Sequence, residues 1–180
     1  MQGTDRLVRH VPAFAMRQLH DIAQFFASHQ VRLATAESCT AGLIAARIAD
    51  VPGCGSVLQC AIVAYAPAVK TGLLGVAPEL IAQHGLTSEP VSCAMARGAM
   101  ALADVTLAIA NTGVADGNGD GPTPAGTQCF AWLFRLGDRT HAFSETIRFH
   151  GTRNTVRTAA ADWALSRALD HYLTLHPQRA

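Results

Sequence analysis

Residues 31 to 53 constrain the fold more than any other stretch, because a short apolar strand runs without a break into a turn of small residues and then into a helix. Val31, Leu33, Ala34 and Ala36 suit a buried strand, and Leu43, Ile44, Ala45, Ala46 and Ile48 begin a helical apolar run that Pro52 and Gly53 close. The turn Glu37-Ser38-Cys39-Thr40-Ala41-Gly42 sets a hydroxyl beside a thiol at the strand-to-helix junction. A helix start presents unpaired N–H groups and partial positive charge, so an oxyanion or a phosphate would be stabilised there. Ser38 or Thr40 acting only as the N-cap accounts for the same residues without any function.

The remaining chain alternates helices and strands before it closes on a hairpin. Phe14, Leu19, Ile22, Phe25 and Phe26 predict a packing helix over residues 13 to 29. Val57 to Tyr65 reads as a buried central strand, and Pro67 opens a short helix that ends at Gly75. Pro78 starts another, stopped by Gly85, and Thr87-Ser88-Glu89-Pro90 caps a longer helix over Val91 to Ala103. Val105 to Ala110 is a strand leading into Asn111-Thr112-Gly113 and then a long Gly- and Asp-rich loop, Val114 to Gly126, of a length that is usually functional or mobile. Thr127 to Arg135 and Thr140 to Phe149 pair as a hairpin about Gly137-Asp138, and a helix from Thr152 to Leu175 ends the pattern. The order implies an α/β fold, a three-layer α/β/α sandwich around a mixed sheet with a late antiparallel hairpin. Residues 1–12 read as an N-terminal tail and 13–176 as a single domain.

Composition removes several classes of function. A formal net charge of +1, with basic residues scattered singly, argues against nucleic acid as a partner. No stretch is long and apolar enough for a membrane span, and Met1 to Pro12 lack the apolar core of a signal peptide. Five cysteines without a C-x-x-C pair suggest neither a disulfide framework nor a zinc site, which fits a reduced, cytoplasmic setting.

A serine hydroxyl needs a base to act as a nucleophile. None of the eight histidines sits in a recognisable elbow or paired motif, whereas Lys70 is the only lysine among fourteen basic residues. Arginine cannot accept a proton near neutrality, but a lysine lowered from about 10.4 by burial can. Tyr65, five residues upstream, could bring its hydroxyl to the same pocket; alternatively Tyr65 covers the core and Lys70 snorkels to solvent. Cys39 is a second candidate nucleophile, since a helix N-terminus lowers a thiol's pKa. Asp116 to Gly121 matches the first half of a calcium loop, but Thr127 replaces the closing Glu, so a Gly-Asp turn cluster describes it better. Arg153 and Arg157, one turn apart, could clamp an anion or simply be solvated.

The ordered series Thr35-Ala36-Glu37-Ser38-Cys39-Thr40-Ala41-Gly42, Tyr65 with Lys70, Gln83-His84-Gly85, Ser88-Glu89-Pro90-Val91, Thr112-Gly113-Val114-Ala115 and Pro124-Ala125-Gly126-Thr127 resembles the CinA (competence/damage-inducible) C-terminal domain family. The likeness runs from about residue 15 to 172. Stand-alone members are nicotinamide-nucleotide amidohydrolases, and 180 residues leave no room for the separate N-terminal domain of larger members. The resemblance implies hydrolysis of the carboxamide of nicotinamide mononucleotide to nicotinate mononucleotide and ammonia, in pyridine-nucleotide salvage. It implies Ser38 as nucleophile with Tyr65 and Lys70 handling its proton. Main-chain N–H groups at the start of the 40s helix would hold the oxyanion.

On this reading Cys39, Thr40, Gly42, Thr112, Gly113, Arg153 and Arg157 contact substrate, no metal or other cofactor is needed, and the small-molecule partner is a pyridine mononucleotide. A homo-oligomer with a site across its interface stays open. A non-catalytic, nucleotide-binding relative is the alternative, since the chain departs from the family where Tyr-Ser-Asn-x-x-Lys becomes Tyr65-Ala66-Pro67-Ala68-Val69-Lys70. Likewise Gly-Ile-Ala-Gly-Pro becomes Gly113-Val114-Ala115-Asp116-Gly117, Gly-Asp-Arg becomes Gly151-Thr152-Arg153, and a common Lys is Thr123.

Overall fold

The structure is a computed structural model that describes residues 19–117 and 123–179. In chain order it runs α1 (Leu19–Ser28), β1 (Leu33–Glu37), α2 (Leu43–Ala49), β2 (Leu58–Val63), α3 (Pro67–Leu74), α4 (Pro78–His84), α5 (Glu89–Leu102), β3 (Leu107–Gly113), β4 (Thr127–Leu136), β5 (Arg139–Arg148) and α6 (Arg153–Leu175). The strands form one sheet in the order β2-β1-β3-β4-β5. The first three are parallel, with Leu33 beside Leu58 on one side and Leu107 on the other, and the last two antiparallel, with Phe134 beside Leu107 and His141. This is the mixed α/β sandwich that the alternating pattern implies.

Each face of the sheet carries its own core. Ile22 and Phe26 of α1, Ile44 and Ile48 of α2, and Ala164 and Leu165 of α6 pack with Leu33, Ile109 and Trp132 on one face. Leu74 of α3 and Val91, Met95 and Ala99 of α5 cover Ala34, Ala108 and Ala131 on the other. Burying each large apolar side chain contributes about 1.5–3 kcal/mol. Trp132 keeps its one polar atom satisfied by donating Nε1–H to the Ala164 carbonyl at 2.8 Å, which ties β4 to α6. The small residues of β1 and β3 let α5 lie close to the sheet. Gly98 extends that economy, since a Cβ there would collide with the Leu74 carbonyl.

Two expectations change. Val57 to Tyr65 is not a central strand: β2 spans only Leu58–Val63 at the sheet edge, with Gln59, Ala61 and Val63 facing solvent. The reason is topological, because β3 pairs with the other side of β1, leaving β1 fully buried between β2 and β3. Strand β3 also runs past Ala110, where the strand was expected to end, through Asn111, Thr112 and Gly113, because these residues pair with Phe130, Cys129 and Gln128. The first part of the helix expected over 13 to 29, the tail at 1–12 and most of the Asp116 to Gly121 segment lie outside the described residues. No helix among the described residues is long and apolar enough to cross a membrane.

Strand order also locates the crevice. After β1 the chain turns to the face of α1 and α6, whereas after β2 it turns to the face of α5. Adjacent parallel strands whose continuations part in this way leave an opening beyond their carboxyl ends. Ser38 follows one strand and Lys70 lies in the helix that follows the other.

Candidate active site

The turn after β1 is held by a buried acid that the sequence reading assigned no role. Glu37 Oε2 accepts the N–H of Ile44 at 3.0 Å, Oε1 accepts that of Ala45 at 3.0 Å, and Thr35 Oγ1 donates to Oε1 at 3.0 Å. Glu37 thus satisfies the start of α2 from the preceding strand. The formal N-cap is Gly42, at φ 92° and without a side-chain cap, so neither Ser38 nor Thr40 caps the helix. Ala41 is also left-handed, at φ 51°, a rare state for a residue with a Cβ and a mark of a constrained loop.

Lys70 reaches this turn from α3. Its Nζ donates to Ser38 Oγ at 2.9 Å, to the Ala64 carbonyl at 2.7 Å and to the Tyr65 carbonyl at 3.0 Å, and the side chain is only 1% exposed. The snorkelling alternative is therefore overturned. Burial pushes the amine down from 10.5 to about 8. In the neutral form two N–H bonds suffice for the two carbonyls, and the lone pair is left facing the Ser38 hydroxyl.

The Tyr65 hydroxyl does not join this pair. Tyr65 is exposed, and its Oη accepts from Arg153 Nη2 at 2.8 Å. The chain leaves the sheet after Val63, so the Tyr65 side chain swings outward while its carbonyl meets the amine. The expected convergence of the two heads is thereby corrected to a contact between Lys70 and the Tyr65 backbone.

Cys39 is also redirected. Its side chain is buried beside Ala115 and Val156, Sγ accepts from Gln128 Nε2 at 3.2 Å, and burial pushes the thiol up despite Arg153 and Arg157 nearby. A protonated, enclosed thiol is a poor nucleophile, so the helix-terminus argument for Cys39 fails on desolvation. Behind it Asn111 Oδ1 accepts the Thr40 N–H at 3.1 Å and Asn111 Nδ2 donates to Gln128 Oε1 at 3.0 Å. This amide pair fixes the far side of the turn, and nothing in the residue spacing signals it.

The other candidates divide. Arg157 donates from Nε to the Cys39 carbonyl and from Nη2 to the Thr40 carbonyl, both at 3.0 Å, so it braces the turn instead of standing free for an anion. Thr112 Oγ1 donates to the Leu86 carbonyl at 2.9 Å, and Gly113 leaves room for the Gln128 amide. Thr40 is buried, and its Oγ1 has no hydrogen-bond partner among the described residues. Arg153 alone stays at an open surface, paired with Asp116 at 3.1 Å beside a cleft of about 260 Å³. Main-chain N–H groups at the start of the 40s helix were expected to hold an oxyanion, but Glu37 takes those of Ile44 and Ala45. The N–H groups of Cys39 and Gly42 make no such bond among the described residues. Among the described residues, no three His, Cys, Asp or Glu side chains gather into a metal site.

Comparison with known proteins gives a consistent likeness. The profile of the CinA C-terminal domain matches residues 17–172. A CinA-like protein of Mycobacterium leprae is 45% identical over 135 residues, covering 74% of this chain and 31% of that protein. One from Mycobacterium tuberculosis strain H37Rv matches with the same identity and coverage. The chain thus spans about a third of the length of these curated relatives. Among solved structures, a CinA superfamily protein from Escherichia coli superposes with a TM-score of 0.79 at 29% identity, covering 88% of this chain and 92% of that one. Competence damage-inducible protein A from Klebsiella pneumoniae gives 0.79 at 32% identity, covering 87% and 99%.

Proposed function

The chain belongs to the CinA C-terminal domain family, and from that premise we propose that it is an amidohydrolase that cleaves the carboxamide of nicotinamide mononucleotide. The observation that carries the reading is the buried contact of 2.9 Å between Lys70 Nζ and Ser38 Oγ. Neutral Lys70 takes the proton as Ser38 Oγ bonds to the carboxamide carbon, and the tetrahedral oxyanion rests against the free Cys39 N–H. Lys70 returns that proton to the amide nitrogen, the C–N bond breaks and ammonia leaves. Water then cleaves the acyl-serine ester, releasing nicotinate mononucleotide and restoring Ser38. Tyr65 serves through its carbonyl, which aims the amine.

Purified protein incubated with nicotinamide mononucleotide should release ammonia and nicotinate mononucleotide in equal amounts. Release no greater than that of a Ser38→Ala control would sink the reading. A second reading, a nucleotide-binding relative without turnover, is favoured by the Tyr65 hydroxyl being held by Arg153 away from the reacting pair. Calorimetry would then register binding of the mononucleotide with no product formed.

A further inference from the structure

Arg153 begins α6, directly after its N-cap Thr152, and its guanidinium is divided between two partners that converge from different parts of the chain. Nη1 lies 3.1 Å from Asp116 Oδ2, and Nη2 donates to Tyr65 Oη at 2.8 Å. Tyr65 in turn gives its carbonyl to Lys70, so this cation is three contacts from Ser38. The cleft beside it is lined by Asp116, Gly126, Arg148, Phe149 and Arg153. Arg157 is committed to the main-chain carbonyls of Cys39 and Thr40, and Arg148, which lines the same cleft as Arg153, donates from Nε to the Ala125 carbonyl at 3.0 Å. Arg153 is held only by exposed groups. The side chains of the Arg153–Asp116 pair are 45% and 58% exposed, which keeps that contact weak and exchangeable.

We propose that Asp116 is a specificity-determining residue whose carboxylate holds the place on Arg153 that an anionic group of the substrate would take. This rests on the amidohydrolase reading for the identity of the ligand. A guanidinium that pairs with a carboxylate also accepts a phosphate, with the same planar fork of donors. When a phosphorylated carboxamide enters, its phosphate must displace Asp116 and then lie near a like charge, which disfavours it. A ligand with the same ring and sugar but no phosphate escapes that competition. The chain therefore discriminates less between mononucleotide and nucleoside than a bare Arg153 would.

The test reads binding without turnover, in the Ser38→Ala background, by calorimetry with nicotinamide mononucleotide and with its nucleoside. Replacing Asp116 by Asn, and separately by Gly, should raise the ratio of mononucleotide to nucleoside affinity about three- to tenfold at low salt. The gain should shrink in 0.5 M sodium chloride, as expected for an exposed charge. An unchanged ratio in both variants, a parallel change in both affinities, or no binding of either ligand would overturn the inference. Failure of the amidohydrolase reading looks different: the protein with Ser38 intact would form no product even though the affinity ratio shifts.

Discussion

Glu37 Oε2 accepts the main-chain N–H of Ile44 across 3.0 Å, so the strand that precedes Ser38 also caps the helix that follows it. The carboxylate is fully buried, and its three donors include two main-chain groups that water cannot reach. Glu37→Gln keeps the shape but loses the charge and one acceptor. It should destabilise the fold by about 2 kcal/mol, the scale of a hydrogen bond to a buried charged group. Urea unfolding checks this, and a change below about 0.5 kcal/mol would show that the cap is dispensable.

Arg157 offers a test that separates bracing from substrate binding. Both carbonyls it holds belong to the turn that carries Ser38. Arg157→Met should lower kcat tenfold or more, because a nucleophile displaced by a fraction of an ångström loses its alignment, while KM changes little. Steady-state kinetics decides it: a raised KM with unchanged kcat would make Arg157 a phosphate ligand instead.

The buried amine also makes stability depend on pH. Lys70 titrates near 10.5 when unfolded and at about 8 when folded. Between those values the unfolded chain holds the extra proton, so stability rises with pH. The full rise is about 3 kcal/mol, and below about pH 8 the penalty is present in full. Lys70→Met should lack that rise, whatever its absolute stability. Urea titrations from pH 7 to 10.5 compare the slopes, and parallel curves would count against a lowered amine.

What could be read from residue spacing was what is local. The twenty-three residues of α6 bury Val156, Ala160, Ala164 and Leu169 on one side, and the hairpin turns at Gly137 as the alternation of its strands implies. The rank of β2 in the sheet was not local, because it depends on where β3 inserts, and an apolar edge strand resembles a central one in sequence. Lys70 stood out as the only lysine, and burial then explains why arginine would not serve. Arg157 and Asn111 were opaque for another reason. Their partners lie 118 and 71 residues away, at Cys39 and Thr40, and no periodicity carries such a contact. Glu37 could have been noticed as the one charged residue of its strand, a position that calls for a buried partner.

The central claim, that a buried Lys70 is the base for Ser38, is tested most directly by kcat/KM for nicotinamide mononucleotide between pH 6 and 10. The account expects a tenfold gain per pH unit up to about 8 and a plateau above it, as the neutral amine becomes the resident form. A profile flat across that range would contradict it.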